Sequence, residues 1–488
     1  MNRVSRRVLL SLASLVALRP KTSAASAASA PNIVIIMLDD LDAASVSAME
    51  TVNQRIAAEG MTFPNCFATT PICGPSRASL LRGQYAHNHG VQRNTGDNAG
   101  FRAFSNAGLE RETLATLLQN AGYRTALIGK YLNGYAPSES TSYVPPGWDH
   151  WVSPINHDAY RSFRYVMNVN GQLQRFGKKK KDYLTDVLSR YAKSFLDDAL
   201  ADRRPFLLML TPYAPHSPSV PAPRHKGIYR GKKAPRSPAF NERNNRDKAS
   251  WLKKTPPISA TRIQKLDQSY ESRLESLQAV DDLVADVLDR LETHGALDNT
   301  YVMFLSDNGY FLGDFRQPNG KDAPYDGASR VPFMVRGPGI PAGSESNQIA
   351  LNIDILPTAL QMAGASEPGF VDGRSLLSVM RGNGQINRQH ALLEGFGKET
   401  GDEGTSEAAA PPFLAVRGRE ALYVEYPESD EQEYFDLQAD PFLLDNTYRK
   451  VSRQLTRGYS RLISQLAGCK GQRCRELEDM SLDRIAEI

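Results

Sequence analysis

The sequence predicts an α/β/α sandwich with a mostly parallel central sheet, followed by a small C-terminal α+β subdomain with an antiparallel sheet. Continuous apolar runs, such as NIVIIML at residues 32–38, are typical of strands buried on both faces. Amphipathic helical segments separate these runs, as parallel strands require. Beyond about residue 385 the apolar runs shorten and are joined by turns. We therefore divide the chain into a catalytic domain, residues 31–385, and a subdomain, residues 386–488.

The remaining elements follow in chain order. Further apolar runs predict strands of the main sheet at residues 125–128, 205–211, 301–305 and 333–335. Apolar residues at helical spacing predict helices at residues 112–120 and 272–294. In the subdomain, turn-bounded runs predict strands at residues 413–416, 422–426 and 433–437, and a helix at residues 453–466. Residues 401–412 are polar and Ala-rich, which indicates a loop.

The N-terminus has the features of an export signal, which we assign to residues 1–30. Arg6 and Arg7 precede an apolar run, and small residues lead to a cleavage site near Ala30. The arginine pair fits either an ordinary basic region or a twin-arginine signal. The apolar run is too short to span a bilayer, so we expect a secreted or periplasmic protein without stable membrane insertion. No Asn-x-Ser/Thr site occurs in the sequence, which favours a bacterial source.

Composition and charge are those of an ordinary soluble protein. The 488 residues are 41% hydrophobic and carry a net charge of +4, so we expect no nucleic-acid partner. Basic residues are nevertheless concentrated in residues 224–254, and a second cluster occupies residues 178–181. The longer segment is either a recruitment surface for an acidic polysaccharide or a solvated insertion.

Polar side chains follow four of the predicted strands directly. They are Asp39, Asp40, Lys130, His216, Asp307 and Asn308. In open parallel sheets, ligands bind outside the carboxyl ends of the strands, so these residues predict one site. Carboxylate and amide oxygens suit a hard cation, and an amide among carboxylates favours one calcium ion over magnesium.

The motif C-G-P-S-R at residues 73–77 is the most specific feature of the chain. The residues after it are typical of a helix start, where free N–H groups and the helix dipole favour an anion. Taken alone, the motif indicates a thiolate nucleophile at Cys73. A buried structural cysteine is the alternative, but it does not account for Pro75 and Arg77.

This motif resembles the signature of type I sulfatases, in which the cysteine is oxidised to formylglycine by a formylglycine-generating enzyme. The other motifs occur in the order of that family, and the resemblance implies an alkaline-phosphatase-like fold. The implied calcium ligands are Asp39, Asp40, Cys73, Asp307 and Asn308. The implied catalytic residues are Cys73, Arg77, Lys130, His216 and Lys321.

A narrower resemblance points to the substrate. G-K-Y-L-N at residues 129–133 and Y-V-P-P-G-W at residues 143–148 are similar to motifs of glucosamine-6-sulfatases and extracellular heparan endosulfatases. The spacing of Cys469 and Cys474 would allow a small disulfide loop, and it resembles the tail of the glucosamine-6-sulfatases. Leu132 stands where many arylsulfatases have histidine, which supports this subgroup. Gly74 stands where the similar mammalian enzymes usually have another cysteine, a departure that weakens the transfer of their exact substrate to this chain.

The resemblance implies hydrolysis of the 6-O-sulfate of glucosamine or N-acetylglucosamine in a sulfated carbohydrate. A formylglycine hydrate attacks sulfur with Asp307 as base, and His216 or Lys321 protonates the leaving oxygen. The second hydroxyl then expels sulfate. Two alternatives remain open: a phosphodiesterase or phosphonate monoester hydrolase of the same superfamily, and a catalytically silent polysaccharide-binding protein.

Overall fold

The computed structural model describes residues 30–96, 99–136, 141–155, 157–202, 204–397 and 410–487. The predicted signal peptide therefore lies outside the described residues, apart from Ala30. Most of the predicted loop at residues 401–412 also lies outside them. No helix within the described ranges is long and apolar enough to cross a membrane.

The strands belong to one large sheet and two smaller ones. In chain order they are β1 (Asn32–Leu38), β2 (Met61–Thr62), β3 (Cys66–Phe67), β4 (Arg124–Gly129), β5 (His150–Pro154), β6 (Val166–Val169), β7 (Gln172–Arg175), β8 (Phe206–Thr211), β9 (Thr300–Ser306), β10 (Arg330–Val331), β11 (Phe333–Arg336), β12 (Ser344–Glu345), β13 (Ala350–Leu351), β14 (His390–Gly395), β15 (Phe413–Gly418), β16 (Ala421–Tyr426) and β17 (Glu431–Asp436).

The α-helices range from single turns to one long helix behind the main sheet. In chain order they are α1 (Glu50–Val52), α2 (Cys73–Arg82), α3 (Ala86–His89), α4 (Gly100–Asn106), α5 (Leu114–Asn120), α6 (Leu184–Asp202), α7 (Ser250–Lys253), α8 (Ala260–Thr293), α9 (Asp326–Ser329), α10 (Ile355–Met362), α11 (Leu377–Met380), α12 (Arg453–Leu466), α13 (Gln472–Glu478) and α14 (Leu482–Glu487).

The large sheet confirms the predicted fold class. Among the described residues it has ten strands in the order β12-β2-β11-β9-β1-β8-β4-β5-β6-β7. The centre, from β9 to β5, is parallel throughout. The strand predicted at residues 333–335 is β11, which pairs antiparallel with β9, and β6 and β7 continue the opposite edge in antiparallel pairs.

Strand β1 explains why helices cover both faces of this sheet. Its side chains alternate between faces, so Ile33 and Ile35 enter one core while Val34 and Ile36 enter the other. The first core includes Leu80 of α2 and residues of α5 and α10. The second core includes apolar residues of α6 and α8. All of β1 is buried, as its unbroken apolar sequence predicts.

The C-terminal part carries a four-stranded antiparallel sheet, β14-β15-β16-β17. Its core is continuous with the larger part of the chain, because Phe67 and Tyr85 belong to the same apolar cluster as Leu392 and Phe435. A buried charged cluster also joins the two parts. Glu478 accepts hydrogen bonds from Tyr85 Oη (2.5 Å), Arg374 Nη2 (2.9 Å) and Arg388 Nε (2.8 Å), and Arg388 also pairs with Asp354. The domain boundary between residues 385 and 386 stays a prediction.

Several elements differ from the sequence-based expectations. Helix α8 begins at Ala260 rather than residue 272, with Ser259 as its N-cap. Strands β5 to β7, helix α6 and strand β14 were not predicted. Cys469 and Cys474 are joined by a disulfide bond in the structure.

Candidate active site

The polar residues predicted to meet at the sheet edge do meet there. Asp39 and Asp40 follow β1, Lys130 follows β4, His216 follows β8, and Asp307 and Asn308 follow β9. Together with Cys73, Arg77 and Lys321, they form one cluster in which no residue is more than 5% exposed. Burying so many charges is favourable only when they are paired, so the contacts within the cluster define what it can bind.

Cys73 is the first residue of α2, and its side chain lies in the middle of the cluster. Lys321 Nζ donates a hydrogen bond to Cys73 Sγ at 2.7 Å. The thiol in turn donates to Asp39 Oδ1 at 3.2 Å, and Asp40 Oδ1 lies 3.9 Å away. The predicted nucleophile position therefore has an ammonium group and two carboxylates around it.

The surroundings of Cys73 do not generate a thiolate. Burial raises the pKa of the Cys73 thiol well above its usual value, and the carboxylates of Asp307 and Asp39 raise it further. The opposing charges of Lys130 and Lys321 do not outweigh these effects. The simplest interpretation of the motif, an activated thiolate, is therefore not favoured by the burial and charges around Cys73.

Arg77 lies one turn along α2 and fixes two strand ends. Its Nε donates to Asp307 Oδ2 at 2.8 Å, and its Nη1 donates to the carbonyl oxygen of Lys130 at 2.9 Å. Nη2 has no hydrogen-bond partner among the described residues, although it is buried. A buried N–H donor without a partner is rare in proteins, and it marks a place where an anionic oxygen can bind.

The two lysines are each paired with one carboxylate. Lys130 Nζ lies 2.7 Å from Asp39 Oδ2, and Lys321 Nζ lies 2.5 Å from Asp40 Oδ1. Burial alone would raise the pKa of both aspartates, but Lys130 for Asp39 and Lys321 for Asp40 are the leading causes that lower it. Both lysines keep raised pKa values, because the carboxylates outweigh their burial. The site therefore holds fixed charges of both signs.

Two oxygen atoms of the cluster fit a bound cation. Asp40 Oδ2 and Asn308 Oδ1 are buried and lack hydrogen-bond partners among the described residues. The amide nitrogen of Asn308 is directed to Asp40 Oδ1 at 2.7 Å, which leaves its oxygen for another ligand. Buried oxygen acceptors from carboxylates and an amide are the donor set that calcium prefers. The described residues therefore fit the expected metal.

His216, which the sequence implies as a catalytic residue, also lies among the side chains that could hold a metal ion. Ligand atoms of Asp39, Asp40, Cys73 and His216 all lie within 4.8 Å of one another. His216 Nδ1 faces the carbonyl oxygen of Ser217 at 2.7 Å, so Nδ1 carries a hydrogen. Its Nε2 lies 3.6 Å from Asp40 Oδ2, and its ring lies 4.4 Å from the ring of Tyr160.

Arg273 is a positioning residue that the sequence analysis missed. It projects from α8, and its Nη2 donates to the carbonyl oxygen of Asp40 at 2.5 Å and to Asp42 Oδ2 at 3.0 Å. Its Nη1 donates to the carbonyl oxygen of Pro215, next to His216. Asp40 has a positive φ of 65°, which is unfavourable for a residue with a side chain. Arg273 therefore holds a strained turn and the His216 loop together.

A cavity of about 520 Å³ opens beside the cluster. Lys130, Tyr160 and Tyr213 line it, together with Leu132 and the exposed His157. Tyr160 also lies beside the cluster itself, with Lys130 Nζ 5.3 Å from its ring centre. A cavity of this size matches those that bind compact organic ligands. No local pattern pointed to Tyr160, because it directly follows none of the predicted strands and belongs to no recognised motif.

Comparison with known proteins identifies the class. The sequence matches the family described as Sulfatase over residues 31–365, and the family described as N-sulphoglucosamine sulphohydrolase, C-terminal, over residues 320–469. The chain therefore belongs to the sulfatase family and is a sulfuric ester hydrolase.

Several of its relatives belong to the predicted subgroup, and arylsulfatases of green algae also match. Human N-acetylglucosamine-6-sulfatase is 33% identical over 479 residues, which cover 91% of this chain and 86% of that protein. The extracellular sulfatase SULF-1 homolog of Drosophila melanogaster is 36% identical over 389 residues, covering 78% of this chain. The matched region is only 34% of that longer relative. The resemblance to these two groups is confirmed.

A solved structure confirms the fold. It contains a protein bound to its substrate, D-glucosamine-2-N,6-O-disulfate. The match has a TM-score of 0.74 and 24% sequence identity, and it covers 92% of this chain and 98% of that one. The expected alkaline-phosphatase-like fold is the fold observed.

Proposed function

We propose that the protein hydrolyses the 6-O-sulfate of glucosamine or N-acetylglucosamine in a sulfated carbohydrate, using a formylglycine formed from Cys73 and one bound calcium ion. The observation that carries this proposal is the convergence of Arg77, Lys130 and Lys321 with three aspartates around Cys73 Sγ. A sulfate ester is an anion, and its transition state needs fixed positive charge in a place from which water is excluded.

Calcium would be held by Asp39, Asp40, Asp307 and Asn308, beside residue 73. When bound, the ion supplies further positive charge next to the sulfate oxygens. The partnerless oxygens of Asp40 and Asn308 support this assignment. Arg77 positions Asp307 through their 2.8 Å ion pair, and the unused Nη2 of Arg77 is free to donate to a sulfate oxygen.

The protons at the reacting atoms would be handled by the groups around residue 73. Asp39 accepts a hydrogen bond from the Cys73 side chain, so it can accept a proton from a hydroxyl group at the same position. Asp307, which the sequence analysis named as the base, is already bonded to Arg77 and to the Asp40 N–H. Asp39 is equally committed to its ion pair with Lys130, whereas burial raises the pKa of Asp307, so we keep Asp307 as the proposed base.

Lys321 and His216 would divide the other roles. Lys321 contacts Cys73 Sγ directly and would stabilise charge on the nucleophile and the sulfate. His216 packs on Tyr160, which lines the cavity where a sugar would lie, so His216 would protonate the leaving sugar oxygen.

The substrate assignment rests on the relatives and on the cavity. The 33% identity to N-acetylglucosamine-6-sulfatase extends over nearly the whole chain, and the fold neighbour was solved with a 6-O-sulfated glucosamine. A primary sulfate projects from the sugar ring, so it can enter a buried cluster while the ring stays in the cavity. Leu132 lines that cavity as an apolar wall.

The experiment is a comparison of kcat/KM on defined sulfated sugars. We expect glucosamine 6-sulfate to be hydrolysed faster than its 2-O- and 3-O-sulfated isomers and faster than an aryl sulfate. Matched phosphate and phosphonate esters serve as controls for the phosphonate monoester hydrolase alternative. Preference for another sulfate position would contradict the substrate assignment, and preference for the phosphonate would contradict the reaction class.

We also propose export. The sequence of residues 1–30 supports a signal peptide, the relatives include extracellular sulfatases, and Cys469 and Cys474 form a disulfide that requires an oxidising compartment. The absence of glycosylation sites supports a bacterial source. Maturation would require a formylglycine-generating enzyme.

A further inference from the structure

The basic segment at residues 224–254 contains two kinds of cation. Cations of the first kind form ion pairs with carboxylates of the same chain. Arg224 pairs with Asp186 and Asp282, Arg236 pairs with Asp267, and Lys248 is buried beside Glu242. These residues stabilise the segment, and they are not available to a partner.

The second kind is unpaired. Lys226, Arg230, Lys232 and Lys233 are exposed, and within the described part of the chain no carboxylate forms an ion pair with them. We refer to residues 226–233 as the basic loop. The four cations outnumber the two carboxylates that bond to the loop backbone, Glu271 and Glu275, so the loop produces a local positive potential that attracts polyanions over a distance of several ångströms.

The acidic residues nearest to the basic loop bind its backbone rather than its basic side chains. Glu275, Glu271 and Asp267, spaced four residues apart on α8, accept hydrogen bonds from backbone N–H groups of the loop and its end. Gly227 N lies 2.7 Å from Glu275, Gly231 N lies 2.9 Å from Glu271, and Ala234 N lies 3.0 Å from Asp267. The helix thus fixes the loop backbone through its carboxylates while the lysine and arginine side chains remain exposed.

The basic loop lies at the edge of the sheet that contains the active site. Helix α8 ends at Thr293, close to the start of β9, and β9 then runs towards the active site. Helix α8 therefore runs in the opposite direction, and its beginning lies on the side of the active site. Arg273 of α8 contacts the backbone of Asp40 and Pro215, at the level of the cluster. Glu271 and Glu275, which bond the loop backbone, lie two residues to either side of Arg273, so along α8 the loop lies within about 3 Å of the level of the cluster, at about 1.5 Å per residue.

We propose that the basic loop is an auxiliary binding surface for a polysaccharide carrying several sulfate groups, one sugar of which occupies the active site. This inference rests on the proposed function, since it assigns the same class of substrate to a second surface. The loop increases the local concentration of polymer and has no part in the bond cleavage. A single sulfated sugar in the cavity is too short to use it.

The test compares two variants with equal changes in charge. The loop variant is K226Q/R230Q/K232Q/K233Q, and the control variant is K178Q/K179Q/K180Q/K181Q, which neutralises the exposed lysines at residues 178–181. Each protein is measured for the NaCl concentration that elutes it from immobilised heparin. The KM for heparin and the KM for glucosamine 6-sulfate are measured separately at low ionic strength.

We expect the loop variant to elute at lower NaCl and to have a KM for heparin about tenfold higher, because four weak exposed ion pairs act together. Its KM for glucosamine 6-sulfate should not change, and the control variant should behave as the parent protein does. Equal losses in the two variants, or unchanged heparin binding by the loop variant, would overturn the proposal. The elution measurement does not depend on turnover, so inactivity on glucosamine 6-sulfate would count against the proposed function alone.

Discussion

The roles of His216 and Lys321 can be separated by changing the leaving group of the substrate. His216 lies beside Tyr160 at the cavity, whereas Lys321 Nζ lies 2.7 Å from Cys73 Sγ. His216→Gln keeps a polar side chain but removes the proton donor, and Lys321→Met keeps the length of the side chain but removes its charge. A sugar leaves as an alkoxide and needs a proton, whereas 4-nitrophenol leaves readily without one.

The expected magnitudes follow from these positions. Loss of a general acid typically slows a reaction by about 10²–10⁴-fold, so His216→Gln should lower kcat on glucosamine 6-sulfate by about 10³-fold. On 4-nitrophenyl sulfate the loss should be below about tenfold, because little proton transfer is required. A charge about 4 Å from the reacting group is worth about 4 kcal/mol at an effective dielectric constant near 20. Lys321→Met should therefore lower kcat about 10³-fold on both substrates.

The assay measures kcat for both substrates with each variant, after thermal unfolding and calcium content have confirmed that the site is intact. His294→Gln, at the far end of α8, is the histidine control and should leave both rates unchanged. Equal losses on the two substrates for His216→Gln would refute its role as the leaving-group acid. A loss confined to the sugar substrate for Lys321→Met would show that the two assignments must be exchanged.

Three further predictions concern modification, metal and pH. Active protein should carry an aldehyde at Cys73, detected by mass spectrometry of the tryptic peptide; full activity with an intact thiol would contradict the mechanism. Asp40→Ala or Asp307→Ala should abolish turnover, and chelation should inhibit the parent enzyme until calcium is returned; an active metal-free enzyme would be incompatible with this site. His87→Gln should lower the free energy of unfolding by about 1.5–3 kcal/mol at pH 6, because His87 bonds Glu394 and the Cys469 carbonyl through its two ring nitrogens. The difference from the parent should shrink as pH rises, and a difference that is independent of pH would rule out a charged His87.

The direction of the His87 effect follows from its pKa. Burial opposes protonation, but the hydrogen bond to Glu394 prevails and raises the pKa of His87 above 6.5 in the folded protein. The unfolded protein has the ordinary value near 6.5. Stabilisation is therefore complete below about pH 6.5, and it is lost as the pH rises through the higher folded value.

The sequence was most informative where burial is complete. The bounds of β1 and α12 match the predictions. The unbroken apolar run of β1 indicates a buried strand, and the regular amphipathic stripe of α12 indicates a helix. Site residues could be located because they directly follow such strands or belong to the C-G-P-S-R motif. In a parallel sheet the carboxyl ends of the strands lie at the same edge, so predicting a parallel sheet also predicts that these residues meet.

The missed features lack such local signals. Strand β7 is exposed at every residue, so its sequence has no apolar pattern. The first turns of α8 are mostly polar, which hides the true start of the helix. Arg273 lies in that helix among mostly polar neighbours in the sequence, and only the tertiary structure shows that it holds Asp40. Tyr160 and Arg273 are both brought to the site by packing rather than by a motif.

The charged cluster at Glu478 has a consequence for how the chain becomes native. Cutting between residues 385 and 386 would leave Asp354 and Arg374 on one fragment and Arg388 and Glu478 on the other. The Arg374–Glu478 and Arg388–Asp354 pairs would then be broken, a penalty of about 3–5 kcal/mol for each pair, while Arg388 and Glu478 would still pair with each other. We therefore expect residues 31–385 to reach their native packing only after Arg388 and Glu478 have left the ribosome. If the two fragments are produced in the same cell, we expect them to associate non-covalently into a complex.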